Sequence, residues 1–483
     1  MVSFIIALVV LIAGYFFYGA LVERVFGTDG SRPTPATTMS DGVDYVALPT
    51  WKVYLVQFLN IAGVGPIFGA IMGVMYGPAA FLWIVLGTIF AGAVHDFISG
   101  MISVRMGGKS LPEIVGSELG NKIKLVMTAF TCILLVMVIA VFVRTPANLL
   151  ASLTPEHLHA TFWAICIFVY YILATLLPVD KLIGNLYPVF GFALLFMAVG
   201  IMGYMIVNGV EIPDGFADGL YNRHPKAETA PLFPMLCISI ACGAISGFHA
   251  TQSPMMARCL QNEKHGRMVF YGAMVSEGIV ALIWAAAAIA FTGGYDKLAG
   301  YMSANGADAG ILVHDVCVNW LGSFGGILAV LGVIAAPVTT GDTAMRSLRL
   351  IIADALNLDQ KKFAKRLLVA LPIIAVTYLL LNINFDVLWR YFAWCNQTLS
   401  IFTLWACSVY LARYRKAYAI TMIPAMFMTA LCVTFIFYAP LGSYTPGVGL
   451  SIEVSEIIGL VAMAVCTLLF FRWQRRLPTG APV

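Results

Sequence analysis

Two stretches of the sequence combine residues that break a helix with residues that can hold a small polar solute. The first, Asn60-Ile-Ala-Gly-Val-Gly-Pro66, gathers Gly63, Gly65 and Pro66 inside an apolar run. Proline removes a backbone donor and glycine tolerates unwound geometry, so amides and carbonyls there leave the helical ladder. In lipid the freed groups need partners from protein, water or ligand. The second, Gly243-Ala-Ile-Ser-Gly-Phe-His-Ala-Thr-Gln-Ser-Pro254, adds a polar run to a comparable interruption. Residues Ala62 to Pro66 offer amides and the positive end of a half-helix to a carboxylate. Residues Ser246 to Ser253 are expected to be unwound as well, adding hydroxyls, a carboxamide and an imidazole. Gly63, Gly65, Ser246, Gly247, His249, Thr251 and Gln252 are therefore candidate solute contacts, joined by Asn396. His249 could equally cap a broken helix end.

His95 and Asp96 form a second polar pair within an apolar run. A carboxylate near the bilayer centre costs about 2.5 to 3.5 kcal/mol on insertion scales, so it faces protein or water. Two roles fit: locking helices by hydrogen bonds, or relaying protons with the imidazole. Glu277 carries the same two readings. Asn396 and Gln397 are uncharged, and such amides at depth also serve as bonds between helices.

These residues sit in a chain that lipid must solvate. Of 483 residues, 60% are hydrophobic and 11% charged, with mean hydropathy +0.89. A soluble domain carries roughly 25% charged residues. The net charge of +4 is spread over short loops, which gives no nucleic-acid surface. Ten cysteines show no C-x-x-C pair, hence no disulfide framework or zinc site. The first 22 residues lack a basic start and a cleavage site, and read as a retained span.

A span needs about 20 mostly apolar residues. Thirteen segments qualify, at roughly 3–22, 53–75, 79–103, 122–143, 160–178, 187–207, 233–256, 268–292, 323–341, 366–383, 388–411, 418–439 and 455–472. Connections after the odd-numbered spans, with the C-terminal tail, hold 23 of the 28 Lys and Arg residues. The positive-inside rule then puts the C-terminus in the cytoplasm and the N-terminus outside. The breaks fall in spans 2 and 7, five apart and of opposite direction. Interrupted helices at matching positions of two halves point to a transporter's binding site. The expected fold is all-α, a single transmembrane domain over 1–483. It divides into an extra helix and cytoplasmic loop (1–52), a five-helix repeat (53–207), an inverted second repeat (233–411) and two final helices (412–483).

At these residues the chain resembles the carbon starvation protein A (CstA) family, in its shorter form. The segments that carry the resemblance are Asp41-Gly-Val-Asp-Tyr45, Ala62-Gly-Val-Gly-Pro66, Gly92-Ala-Val-His-Asp-Phe97, Ser103-Val-Arg105 with Lys109-Ser-Leu-Pro-Glu113, Ser246-Gly-Phe-His-Ala250 and Thr339-Thr-Gly-Asp-Thr343. The resemblance implies a bacterial inner-membrane secondary transporter of the LeuT-like group, associated with uptake of peptides or pyruvate in nutrient limitation. In a LeuT-like arrangement, span 9 lies against the first break. Thr339 and Thr340 would then complete a sodium site with carbonyls from about Asn60 to Ala62, unless they bond their own helix. Asp342, at the expected end of span 9, shares their face or caps the next turn. Ion coupling thus falls to Asn60, Ala62, Thr339, Thr340 and Asp342, or to His95 and Asp96. Ser110-Leu-Pro-Glu113 reads as a capping box that opens a short cytoplasmic helix, and Ile311 to Trp320 as an outer lid.

The expected partners are a small solute and the bilayer, with no cofactor beyond H+ or Na+ as coupling ion. An ion channel or an intramembrane nutrient sensor is the alternative. An enzyme is not expected, since seven histidines form no H-E-x-x-H or equivalent.

Overall fold

The computed structural model describes residues 2–42, 44–155, 157–176, 187–216, 219–305, 309–356, 358, 363–383, 385–439, 441–442 and 445–477. Sixteen helices organise the body. They are α1 (Val2–Phe26), α2 (Thr50–Ile61), α3 (Val64–Val74), α4 (Ala79–Arg105), α5 (Leu111–Leu119), α6 (Asn121–Leu153), α7 (Ala160–Leu176), α8 (Tyr187–Val207), α9 (His249–Ala257), α10 (Glu263–Thr292), α11 (Tyr295–Ala304), α12 (Ala309–Ala355), α13 (Phe363–Leu380), α14 (Phe385–Arg413), α15 (Ala419–Tyr438) and α16 (Ile452–Gln474). Among the described residues, β structure is confined to the pairing of Leu441–Gly442 with Thr445–Pro446.

Seven of these helices are long and apolar enough to cross a membrane, and the bent pair α2–α3 makes an eighth. The described parts of the thirteen segments marked in the sequence fall on helices or broken helices; residues 177 and 178 of the fifth lie outside the described residues. The central helices α4 and α10 are buried over 78% of their apolar windows, against 22% for α1 and 17% for α16. The outer faces of α1 and α16 are thus surfaces for lipid, and the polar residues of interest lie on the inner helices.

The first break is short. α2 and α3 meet at 48°, with only Ala62 and Gly63 between them. The second is long: after a short helical piece over 232–239, residues 240–248 run through turns before α9 opens at His249. The unwound stretch therefore begins earlier than expected. Thr251, Gln252 and Ser253 are helical, because from Thr251 onward the amides find carbonyls within the chain's own turns.

The two broken segments touch through glycine. Gly65, Gly69 and Gly73 recur every fourth residue and form one stripe of α3. A Cβ on Gly65 would lie 2.5 Å from Cys242 Sγ, on Gly69 3.0 Å from the Ser239 carbonyl, and on Gly73 2.1 Å from Ile240 Cγ1. Small residues let helices approach this closely in membranes.

Span 9 does not end near Thr343. α12 continues to Ala355 because Ala344, Met345, Leu348 and Ile351 are buried against the core. Thr339, Thr340 and Asp342 consequently lie inside a helix, and Asp342 is not at a helix end. Upstream, Gly322 adopts φ 67°, which separates the segment marked as a lid from the rest of α12. Trp320 in that segment stacks on Tyr204 at 5.3 Å and meets Phe291 edge-on at 5.9 Å. The capping box at Ser110 and Glu113 is formed as expected.

At the opposite end from this lid the core is tied by ions. The fully buried Glu263 carboxylate accepts from Arg105 Nη2 at 3.0 Å and from the Asp29 amide at 3.0 Å, with Arg32 at 3.6 Å. Arg105 also donates to the Gly27 carbonyl at 2.6 Å. One acid thereby joins the ends of α1 and α4 to the start of α10.

Candidate functional site

The π-helical turn Thr88–Gly92 of α4 is followed by His95 and Asp96, both fully buried. Asp96 stands between two imidazoles. His95 Nδ1 is 2.8 Å from its Oδ1, and His249 Nδ1 is 2.9 Å from its Oδ2. With Asp96 ionised, its oxygens only accept, and each Nδ1 carries the hydrogen and donates. His249 Nε2 then faces Glu277 Oε2 at 3.4 Å. That is ion-pair distance, outside hydrogen-bond alignment. Four titratable side chains from α4, α9 and α10 thus form one buried chain, His95–Asp96–His249–Glu277.

The chain's two ends are open. His95 Nε2 and both Glu277 oxygens have no hydrogen-bond partner among the described residues. Buried charge is tolerated when it is paired. Here a proton can sit on either side of the Nε2–Oε2 gap, on the imidazole or on the carboxyl.

His249 owes its position to the unwound stretch before it, and α14 shapes that stretch. Asn396 Oδ1 accepts from the Ser246 hydroxyl at 2.9 Å and the Phe248 amide at 2.7 Å. The Asn396 carbonyl accepts from the Gly247 amide at 3.1 Å, and its Nδ2 reaches Cys242 Sγ at 3.4 Å. Gly247 must be glycine here: a Cβ would fall 2.4 Å from both the Asn396 carbonyl and the Ser400 nitrogen. Trp83 Nε1 donates to the Ile240 carbonyl at 3.2 Å, Thr88 to Gly243 at 3.1 Å, and Gln397 to Cys237 at 2.8 Å. Protein partners therefore take up these freed backbone groups, as lipid surroundings require. In this conformation Asn396, Ser246 and Gly247 hold the break and leave no side-chain acceptor on Asn396 for a solute.

At the first break, Thr340 Oγ1 lies 3.2 Å from the Leu59 carbonyl and 2.8 Å from Ala336. Thr339 turns to its own helix, at 2.9 Å from both Ala335 and Ala336 carbonyls. Thr340 thus meets the broken helix at the Leu59 carbonyl, one residue before the 60–62 stretch. Gly63 sits beside it, its Cβ position 3.4 Å from Thr340 Oγ1. Asp342 is fully buried on α12. Among the described residues no group of three His, Cys, Asp or Glu side chains is arranged to hold a metal.

Thr251 bonds the Phe248 carbonyl at 2.7 Å and lines a small cavity of about 30 Å³ with Ser110, Pro254, Arg258 and Ser347. Gln252 is fully buried and gives its Nε2 to Thr251 at 3.0 Å. Gln57, Trp83 and Thr88 were not marked in the sequence, since each stands in an apolar run without a neighbouring polar residue. The Gly65-x-x-x-Gly69-x-x-x-Gly73 stripe was the signal that could have located the contact of the two breaks.

An all-helical membrane body built around two broken helices in mutual contact is a membrane transporter fold. A Na+-coupled sialic acid symporter, solved in a substrate-bound outward-open state, matches 96% of this chain and 97% of its own with a TM-score of 0.54. At 13% identity the likeness concerns the fold. The chain belongs to the carbon starvation protein CstA family, whose model matches residues 1–160 and 156–319. It is 43% identical to an uncharacterized membrane protein of Haemophilus influenzae, over 60% of this chain and 91% of that one. It is 30% identical to the peptide transporter CstA of Campylobacter jejuni, over 57% of this chain and 48% of that protein. To the pyruvate/proton symporter BtsT of Escherichia coli it is 27% identical, over 57% and 47%. The chain thus spans about half the length of these two named transporters.

Proposed function

We propose that this protein is a proton-driven symporter that takes up a small organic solute, a short peptide or a pyruvate-like carboxylate, across the bacterial inner membrane. The observation that carries this reading is the buried chain His95–Asp96–His249–Glu277, anchored on the second broken helix. Proton load on this chain changes the charge beside the break, so protonation and the shape of the site are coupled. The names of the Campylobacter and Escherichia relatives supply the two solute classes.

The architecture we infer is thirteen crossings in the order one, five, five and two, with LeuT-like inverted repeats over 53–207 and 233–411. The contact of the two breaks and the spacing of their spans support it. Loading of 23 of the 28 basic residues onto one set of connections supports an outside N-terminus and a cytoplasmic C-terminus. On this reading the Arg105–Glu263 tie is cytoplasmic and the Trp320 segment is outer.

Sodium coupling is the second reading. Thr340 Oγ1 with the carbonyls of Leu59 and Ala336 gathers oxygen at the first break. Uptake into proteoliposomes under separate pH and sodium gradients tests both. Saturable accumulation driven by an inward proton gradient supports the proton reading; accumulation that needs sodium and is lost in Thr340→Val supports the other. Unsaturable conductance would return the protein to the channel class.

A further inference from the structure

Three carboxamides beside the breaks are buried without the hydrogen bonds they need. Asn60, in the last turn of α2, is fully buried, and neither its Nδ2 nor its Oδ1 has a partner among the described residues. One turn earlier, Gln57 reaches Ser253 Oγ at 3.5 Å through Nε2, while its Oε1 has none. Across the seam on α9, Gln252 gives Nε2 to Thr251 and leaves Oε1 bare. A buried amide without partners forfeits its hydration for no return, so such groups are rare unless a ligand or water completes them. One of the three is linked to a cavity through its hydrogen-bond partner. Gln252 is bonded to Thr251, and Thr251 lines the cavity that Arg258 and Ser347 border.

We propose that Asn60, Gln57 and Gln252 form the recognition surface for the uncharged polar part of the cargo. This rests on the transport reading and assigns the solute's chemistry within it. The Asn60 carboxamide asks for a donor and an acceptor together, because both of its own functions are unmet whichever way the amide is turned. A peptide unit or a primary carboxamide supplies both. A keto acid supplies acceptors alone and leaves the Asn60 oxygen bare. The surface therefore selects amide-bearing solutes over keto acids, while the proton chain one turn along α9 is left for coupling.

The test uses full-length protein, in detergent for binding and in proteoliposomes for flux, with dialanine, lactamide and pyruvate as probes. Dialanine is expected to bind, lactamide to compete with it, and pyruvate to compete at least tenfold more weakly. Asn60→Leu is expected to weaken dialanine binding at least tenfold with a melting temperature equal to or above that of the wild type. A merely structural Asn60 would instead lower the melting temperature and leave affinity intact. Equal competition by pyruvate, or unchanged dialanine affinity in Asn60→Leu, would overturn the assignment. Dialanine binding that is lost in Asn60→Leu, without any gradient-driven flux, would keep the recognition surface and overturn the symport reading.

Discussion

Asn396 Oδ1 stands 2.7 Å from the Phe248 nitrogen, one residue before the imidazole that meets Asp96. The bond joins positions 148 residues apart. It sets where the unwound stretch ends and α9 begins, and so aims His249 at Asp96. A side chain marked in the sequence as a solute contact here positions another.

Asn396→Ala strips Oδ1 from the Phe248 amide and the Ser246 hydroxyl. Each buried group left bare costs about 1 to 3 kcal/mol. The expected result is a lower melting temperature together with a displaced pH profile of uptake, because His249 loses its fixed aim. A lowered melting temperature with an unmoved pH profile would show that Asn396 serves stability alone.

Asp96→Asn preserves the shape of the side chain while removing the charge between His95 and His249. Uphill accumulation on an imposed proton gradient should disappear, while solute exchange across the membrane at equal pH persists within a few-fold. The contrast separates coupling from binding. Accumulation at the wild-type level in this variant would remove Asp96 from the coupling path.

Gly73→Ala forces a methyl to within 2.1 Å of Ile240 Cγ1, where Gly203→Ala meets nothing within 4 Å. Overpacking of this kind costs about 1 to 3 kcal/mol. Thermal unfolding in detergent should therefore separate the two variants by several degrees. Equal melting temperatures would mean that α3 and the second break are not held in contact.

Glu263→Ala removes the acid that Arg105, Arg32 and the Asp29 amide share. Breaking a buried ion pair by deleting one partner costs about 3 to 5 kcal/mol, since the other charge stays behind. The loss should change little between low and high salt, because burial shields the pair from screening ions. A loss of stability that salt reproduces in the wild type would identify the tie as a surface contact.

Much of the fold was legible. Gly63, Gly65 and Pro66 announced the first break, and Gly243, Ser246 and Gly247 the second, because glycine and proline act on the local backbone. The length of the second break was not legible. Its early turns depend on Trp83 and Thr88 from another helix. Span 9 was cut short in the sequence; α12 runs on through Arg346 and Arg349, both buried, and Arg346 donates to the Ala174 carbonyl at 2.7 Å.

The site was legible in its members and hidden in its assembly. His95, Asp96, His249 and Glu277 each stood out as polar residues at depth. In a chain whose spans are apolar on every side, hydropathy does not reveal which faces meet. Asp96 and His249 lie 153 residues apart, and only packing brings them to 2.9 Å. Thr339 and Thr340 were indistinguishable by type, and a single helical step of about 100° sends one to its own carbonyls and the other to Leu59.

The glycine stripe of α3 bears on how the chain is made. At 11 residues α3 is about 16 Å long, roughly half the hydrocarbon thickness it must enter. The surface it packs on, Ser239 to Cys242, leaves the ribosome long after α3, and the Thr340 hydroxyl that meets Leu59 follows 281 residues behind it. During synthesis the first half of the protein must wait in the bilayer with a broken helix whose backbone has no final partner. Assembly of the core is therefore a late event, and a truncated product that stops before the second break leaves a half-helix for quality control to find.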